Sequence, residues 1–145
     1  MLEFMRSLLF VPGNNPAMVQ NAAVFGSDAV ILDLEDAVAP QEKDAARFLV
    51  VEALQTVDYG KCAKVVRINP LEYNGGADIA AVVKAAPDAL LVPKVQSAAD
   101  ILDVVDQVAA QEQPGQAAVK IIPLIEPPRG LAEAFSIAYA DRRVI

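Results

Sequence analysis

Ala29-Val30-Ile31-Leu32-Asp33-Leu34-Glu35-Asp36-Ala37-Val38 is an apolar run that ends abruptly in three carboxylates. Apolar residues bounded by polar ones in this way predict a strand buried on both faces, as in a parallel sheet. Side chains two apart on a strand share a face, so Asp33 and Glu35 point the same way. Buried acids are costly unless they are paired or bound to a cation. Two readings therefore stand at this point. Either Asp33 bonds to backbone and Asp36 begins the next turn, or the acids serve a site at the strand end.

Working outward, the same unit recurs. A strand over 7–11 is stopped by Pro12-Gly13-Asn14-Asn15, and Pro16 opens a helix to about residue 25. After the strand over 29–34, Pro40 starts a helix to about residue 54 whose Ala46, Leu49, Val50 and Ala53 form an inward stripe. A strand over 64–70 leads through a loop containing Gly75-Gly76, most simply a loop pair, to a helix ending near residue 84. A strand over 89–94 is followed by a helix capped by Ser97, with Ile101, Leu102, Val105 and Val108 on one face. The last unit is a strand over 119–125 and a helix from 131 to 138; Pro123 inside that strand predicts a bulge or an edge. Five βα units predict a single α/β domain over 1–145, either an open doubly wound sheet or part of a (β/α)8 barrel. Both place function at the carboxyl ends of the strands.

The totals narrow the chemistry. The 145 residues carry a formal charge of −7, no basic cluster and no apolar run of membrane-spanning length, which argues against nucleic-acid and membrane partners. Glu3 and Arg6 flank a short apolar run without the pattern of a secretory leader, so a cytoplasmic location is expected. The chain has one cysteine and no histidine, which removes internal disulfides, histidine triads and imidazole metal sites. Cys62 reads as a small buried hydrophobe at the start of a strand. No dinucleotide fingerprint or P-loop occurs. What the strand ends do offer is Asn14, the Asp33/Glu35/Asp36 cluster, Arg67 with Asn69, Lys94, and Glu126 with Arg129. Oxygen-only ligation points to Mg2+ or Mn2+, with Glu126 as a rigid post between a strand and two prolines. Arg67 offers a planar fork for a keto-acid carboxylate, with Asn69 expected on the same strand face; the competing reading is a salt bridge from Arg67 to Glu35 or Asp36.

Five stretches carry a resemblance. They are residues 6–14 (RSLLFVPGN), 32–47 (LDLEDAVAPQEKDAAR), 66–70 (VRINP), 92–94 (VPK) and 122–130 (IPLIEPPRG). In that order they closely resemble the citrate lyase beta subunit and its malyl-CoA and citramalyl-CoA lyase relatives. The resemblance implies a (β/α)8 TIM barrel, here truncated to about five βα units. It also implies Mg2+-dependent retro-Claisen cleavage of a 3-hydroxyacyl thioester such as citryl-ACP or citryl-CoA, giving oxaloacetate and an acetyl thioester. Glu126 resembles the family's first metal ligand, which also touches substrate, and Arg67 its substrate-carboxylate arginine. Glu35 and Asp36 resemble the acids that orient this arginine and the metal's waters. The uncharged Ala17, Met18, Val19 and Gln20 lean toward a thioester on an acyl carrier protein rather than on CoA. Implied partners are the citrate lyase alpha and gamma (acyl carrier) subunits. The resemblance places the family's second metal ligand just after the sixth strand, and this chain stops where that strand begins.

Two further readings compete with the lyase subunit: an inactive remnant that binds a keto acid or a partner, and an aldolase acting on free keto acids. Free sheet edges would favour homo-oligomers. Substituting Arg67 by Ala is expected to abolish keto-acid binding while leaving the fold intact.

Overall fold

The computed structural model describes residues 5–145; Glu3 lies outside them. Five strands, β1 (Leu8–Pro12), β2 (Ala29–Asp33), β3 (Ala63–Arg67), β4 (Ala89–Val92) and β5 (Lys120–Pro123), form one sheet in the order β1-β2-β3-β4-β5. Every pairing is parallel. The helices between them are α1 (Pro16–Asn21), α2 (Lys43–Thr56), α3 (Gly76–Val82) and α4 (Ala98–Gln111), followed by α5 (Pro128–Ala132) and α6 (Ala134–Ala138). The order is strictly sequential, so the reversal of strand order that defines a doubly wound sheet is absent among the described strands. Val144 makes an isolated parallel bridge to Ile121, continuing the same progression beyond β5.

Register divides the sheet into two faces. Val30, Leu32, Val66, Leu90, Val92 and Ile121 join the helices in the larger apolar core, to which α2 contributes Ala46 and Val50 and α4 contributes Ile101 and Val104. On the other face Ala29, Ile31, Ala63, Val65, Ala89 and Leu91 bury one another, flanked by Met5, Ile122 and Leu124 and by no described helix. Since Ile31 alternates to Asp33 and Val65 to Arg67, the charged strand ends belong to this second, helix-free face.

Local chemistry explains the elements and two departures from expectation. Asn15, before Pro16, accepts from Met18 N–H and caps α1. Ser97 and Asp100 form a reciprocal capping box on α4. The inward stripe of α4 is Ile101, Val104 and Val108, with Leu102 exposed, because Leu102 sits a third of a turn off that stripe. Of the two places expected for Pro123, a bulge or an edge, it takes the edge: it ends β5, the last strand of the sheet, and its missing N–H would lie on the side where Ile121 N–H bonds Arg143 O, away from β4. Gly75 lies in a π-helical turn rather than a plain loop, and a Cβ there would meet the Asn69 carbonyl. Cys62 is buried at the foot of β3, its thiol donating to Ser27 O. Among the described residues no helix is long and apolar enough to cross a membrane.

Candidate active site

At the carboxyl ends of β2 and β3 the register sets Asp33 beside Arg67. Arg67 Nε and Nη2 donate to the two Asp33 oxygens at 2.7 and 2.6 Å, a bidentate pair. Asp33 also accepts from Glu35 N–H at 2.8 Å and Ala37 N–H at 3.2 Å, which fixes the turn after β2. Arg67 Nη1 lies 3.0 Å from Glu35 Oε2 and 3.8 Å from Asp36 Oδ2. The Arg67–Glu35 approach is an ion pair without hydrogen-bond geometry, so Glu35 Oε2 is a buried acceptor with no donor. The Phe10 ring on β1 stands 5.1 Å from the guanidinium carbon and covers its flat side.

The structural reading of each residue is the one the geometry shows. Asp33 bonds backbone and binds a cationic partner; Arg67 is salt-bridged, chiefly to Asp33 rather than to Glu35 or Asp36. Side-chain exposure is 12% for Arg67 and 2% for Asp33, whereas Asp36 is 66% exposed. Arg67 neutralises two buried acids, so its removal strikes at the fold. That changes the expectation of an intact Arg67→Ala variant.

Lys94 and Glu126 complete the constellation. Lys94 Nζ donates to Glu35 Oε1 at 2.8 Å, and Lys94 N–H donates to Glu126 Oε2 at 2.8 Å. The Glu35 carboxylate holds the Lys94 ammonium above its ordinary pKa, first through this hydrogen bond and then through its charge. Glu126 is exposed, and among the described residues its second oxygen accepts no hydrogen bond. Lys43 Nζ donates to the carbonyls of Leu34, at 2.7 Å, and Glu35, pinning the segment that carries the acids.

Asn69 is placed elsewhere. β3 ends at Arg67, and beyond it Asn69 turns toward α3, where its backbone N–H and Nδ2 donate to Asp78 Oδ2 at 2.8 and 2.7 Å. Nδ2 also donates to Leu34 O. Asp78, buried on α3 and paired with Arg47, draws these donors behind the sheet. Asn69 thus braces the strand ends from the helix side and is not brought onto the Arg67 face. Lys43 and Lys94 are the contributors whose roles the sequence left unassigned. The motifs around them were the available signal.

Two cavities of about 480 Å3 flank the sheet. One lies at the amino ends of the strands, around Ser27, Tyr59 and Cys62. The other lies at the carboxyl ends beside α4, with Lys94, Tyr73, Asp100 and Arg129 in its wall but not Asp33, Glu35, Arg67 or Glu126. Neither cavity encloses the converging charges, and it is those charges at the strand ends that mark the site.

Gly130 lets the segment after Glu126 sit close, since a Cβ there would meet the Val95 carbonyl and Ile125. Gly130→Ala should therefore force the two loops apart and destabilise by about 1–3 kcal/mol in urea unfolding. The Asp33 carboxyl supplies a pH signature. Burial pushes its pKa up, but the Arg67 hydrogen bonds, the Glu35 and Ala37 amides and the Arg67 charge outweigh it and leave the pKa below the usual value. Its stabilising contribution is complete above the unfolded pKa of about 3.9 and is lost as pH falls through the lower folded value. Unfolding free energy should fall as pH drops below about 4; Asp33→Asn should flatten that dependence.

These features define a parallel α/β domain with a carboxylate–arginine–lysine site at its strand ends. Residues 6–145 match the HpcH/HpaI aldolase/citrate lyase family, and the chain belongs to that family. It is 46% identical over 146 residues to the citrate lyase subunit beta of Leuconostoc mesenteroides subsp. cremoris, covering 97% of this chain and 48% of that one. The structure of protein CitE from Mycobacterium tuberculosis in complex with magnesium and pyruvate aligns with a TM-score of 0.78 at 31% identity, over 100% of this chain and 54% of that one. The M. tuberculosis citrate lyase beta subunit complexed with oxaloacetate and magnesium aligns at 0.68 with 33% identity, over 95% and 54%. The chain spans about half the length of the curated relatives it matches.

Proposed function

We propose that the five βα units form part of the wall of a (β/α)8 barrel lyase. Its site receives the oxo-acid half of a 3-hydroxyacyl thioester such as citryl-ACP or citryl-CoA. The observation that carries this reading is the Arg67 fork, held by Asp33 and Glu35 beside Glu126 on the helix-free face. The sequential strand order suits a barrel wall, and the solved relatives hold magnesium with pyruvate or oxaloacetate.

Mg2+ suits the donors present. Glu126 offers a carboxylate oxygen with no donor among the described residues, and Glu35 Oε2 is a buried acceptor without a hydrogen bond. Mg2+ takes one or two carboxylates and fills its remaining positions with waters and substrate oxygens. Glu126 would hold it, with Glu35 and Asp36 toward its waters. When bound, Mg2+ supplies electrostatic stabilisation of the oxo-acid oxygens.

Arg67 binds the oxo-acid carboxylate and orients the scissile bond. The substrate hydroxyl loses its proton, the C–C bond breaks as the carbonyl of oxaloacetate forms, and the electron pair leaves on the acetyl thioester as an enolate. Protonation of that enolate carbon gives the acetyl thioester. Asp33 and Lys94 hold Arg67 and Glu35 in place throughout. The alpha and acyl carrier subunits of a citrate lyase are the fitting protein partners for such a chain.

A second reading is binding without turnover. Among the described residues no three His, Cys, Asp or Glu side chains converge, so a cation here would rely on one or two carboxylates with waters and substrate oxygens. Calorimetry of the purified chain with oxaloacetate, with and without Mg2+, tests the site; metal-dependent binding is expected, and no binding by a folded sample would overturn it. A cleavage assay on citryl thioester then separates lyase from binding module.

A further inference from the structure

We propose that Lys94 is a positioning residue that ties Glu126 to the Arg67 clamp, one through its main chain and the other through its side chain. The proposal rests on the functional reading above. It goes beyond it by naming what sets the spacing between the metal-ligand candidate and the carboxylate clamp.

Three observations meet at this residue. First, Lys94 has φ of +57°, a left-handed conformation that residues bearing a β-carbon rarely adopt. In that conformation its N–H reaches Glu126 Oε2 at 2.8 Å. Such a conformation persists where the surroundings hold it, and it recurs at functional sites. Second, the Lys94 side chain turns to the other part of the site, Nζ lying 2.8 Å from Glu35 Oε1. Third, Glu35 meets Arg67 Nη1 at 3.0 Å with its other oxygen, which makes no hydrogen bond.

Glu35 is thus shared between two cations. With the ammonium in place, one oxygen is committed to Lys94 and Arg67 keeps N–H groups for a ligand. Without it, Glu35 can turn both oxygens onto Arg67 and compete with an incoming carboxylate. The backbone contact acts separately: if φ moves to negative values, the N–H leaves Glu126 and that carboxylate loses its fixed orientation.

The two couplings separate in variants of the full chain. Lys94→Gly and Lys94→Val both lack the ammonium, but only Gly accepts the left-handed backbone readily. Lys94→Val should bind Mn2+ about tenfold more weakly than Lys94→Gly. Lys94→Met should lower oxaloacetate affinity about tenfold, and Lys94→Arg should restore most of it. Equal Mn2+ affinity of the Gly and Val variants, or wild-type oxaloacetate affinity of Lys94→Met, would overturn the corresponding coupling. A ligand-free readout keeps this apart from the functional reading. Glu126→Gln should shift the Lys94 amide resonance, and Glu35→Gln the Lys94 side-chain nitrogen, by NMR. If neither moves, the positioning role is wrong whatever binds; if both move while the wild-type chain binds neither Mn2+ nor oxaloacetate, the functional reading fails and the positioning role stands.

Discussion

Arg67→Ala should cost about 3–5 kcal/mol of stability, because it strands buried carboxylates without their main cation. Asp33 is 1% exposed and Glu35 3% exposed, and neither can reach bulk water without opening the strand ends. Lys94 still neutralises Glu35, so the penalty falls chiefly on Asp33, whose two oxygens both lie on the guanidinium. Against a typical total of about 5–15 kcal/mol, such a loss leaves a chain that is marginally folded. Failed ligand binding by Arg67→Ala would therefore say little about the clamp. The informative construction is a cycle of Asp33→Asn, Arg67→Met and the double variant, read by urea unfolding. The double variant should recover much of the stability lost in Arg67→Met, because no buried carboxylate is left at position 33, yet it should bind oxaloacetate at least about tenfold more weakly than wild type. If the double variant is as unstable as Arg67→Met, the Asp33 pairing is not what Arg67 contributes to folding. If it binds oxaloacetate normally, Arg67 is not the clamp.

How far the sequence carried depended on whether a feature was periodic. β2 was legible because all five residues of Ala29–Asp33 are buried, so its apolar run has no competing interpretation. Strand alternation also carried one step past its end, since Asp33 and Glu35 do converge on the same arginine. It failed one step past β3. The same rule puts Asn69 with Arg67, but the chain leaves the sheet and the buried Asp78 captures the Asn69 amide. Alternation is a property of hydrogen-bonded strand, and a buried acid needing donors overrides it. The α4 stripe was misplaced for a related reason: Leu102 and Val104 are equally apolar, and only packing against the sheet decides which turns inward. Lys94 was visible as a strand-end lysine in one of the stretches that carry the resemblance, but its part was not. A positive φ at a non-glycine residue has no compositional signature, and the use of both its main-chain and side-chain donors depends on loops brought together from sequence positions 35 and 126. The parallel α/β architecture was therefore readable, while the wiring of the site was not.

Glu126→Gln should remove the metal dependence of keto-acid binding while leaving the fold intact, in contrast to Arg67. Glu126 is exposed, so its charge is not needed to balance a buried partner. Its Oε2 accepts one hydrogen bond, from Lys94 N–H, which an amide oxygen can still accept. The substitution therefore alters charge and ligating strength with little change in shape. A neutral amide is a poor replacement for a carboxylate on a hard dication, and Mn2+ affinity should fall by about a hundredfold or more. Oxaloacetate should then bind equally weakly with and without Mg2+, through Arg67 alone. Thermal unfolding in the absence of metal should match wild type to within about 0.5 kcal/mol, as for an exposed surface substitution. A Glu126→Gln variant with an unaltered Mn2+ titration would take Glu126 out of the metal site and move the search to Glu35 and Asp36. A variant that lost stability as well would show that the Glu126 charge supports the left-handed turn at Lys94. The pairing of a fold-neutral metal variant with a fold-disrupting clamp variant follows from burial: Glu126, the proposed cation ligand, faces solvent, whereas Arg67, the proposed carboxylate clamp, is built into the sheet.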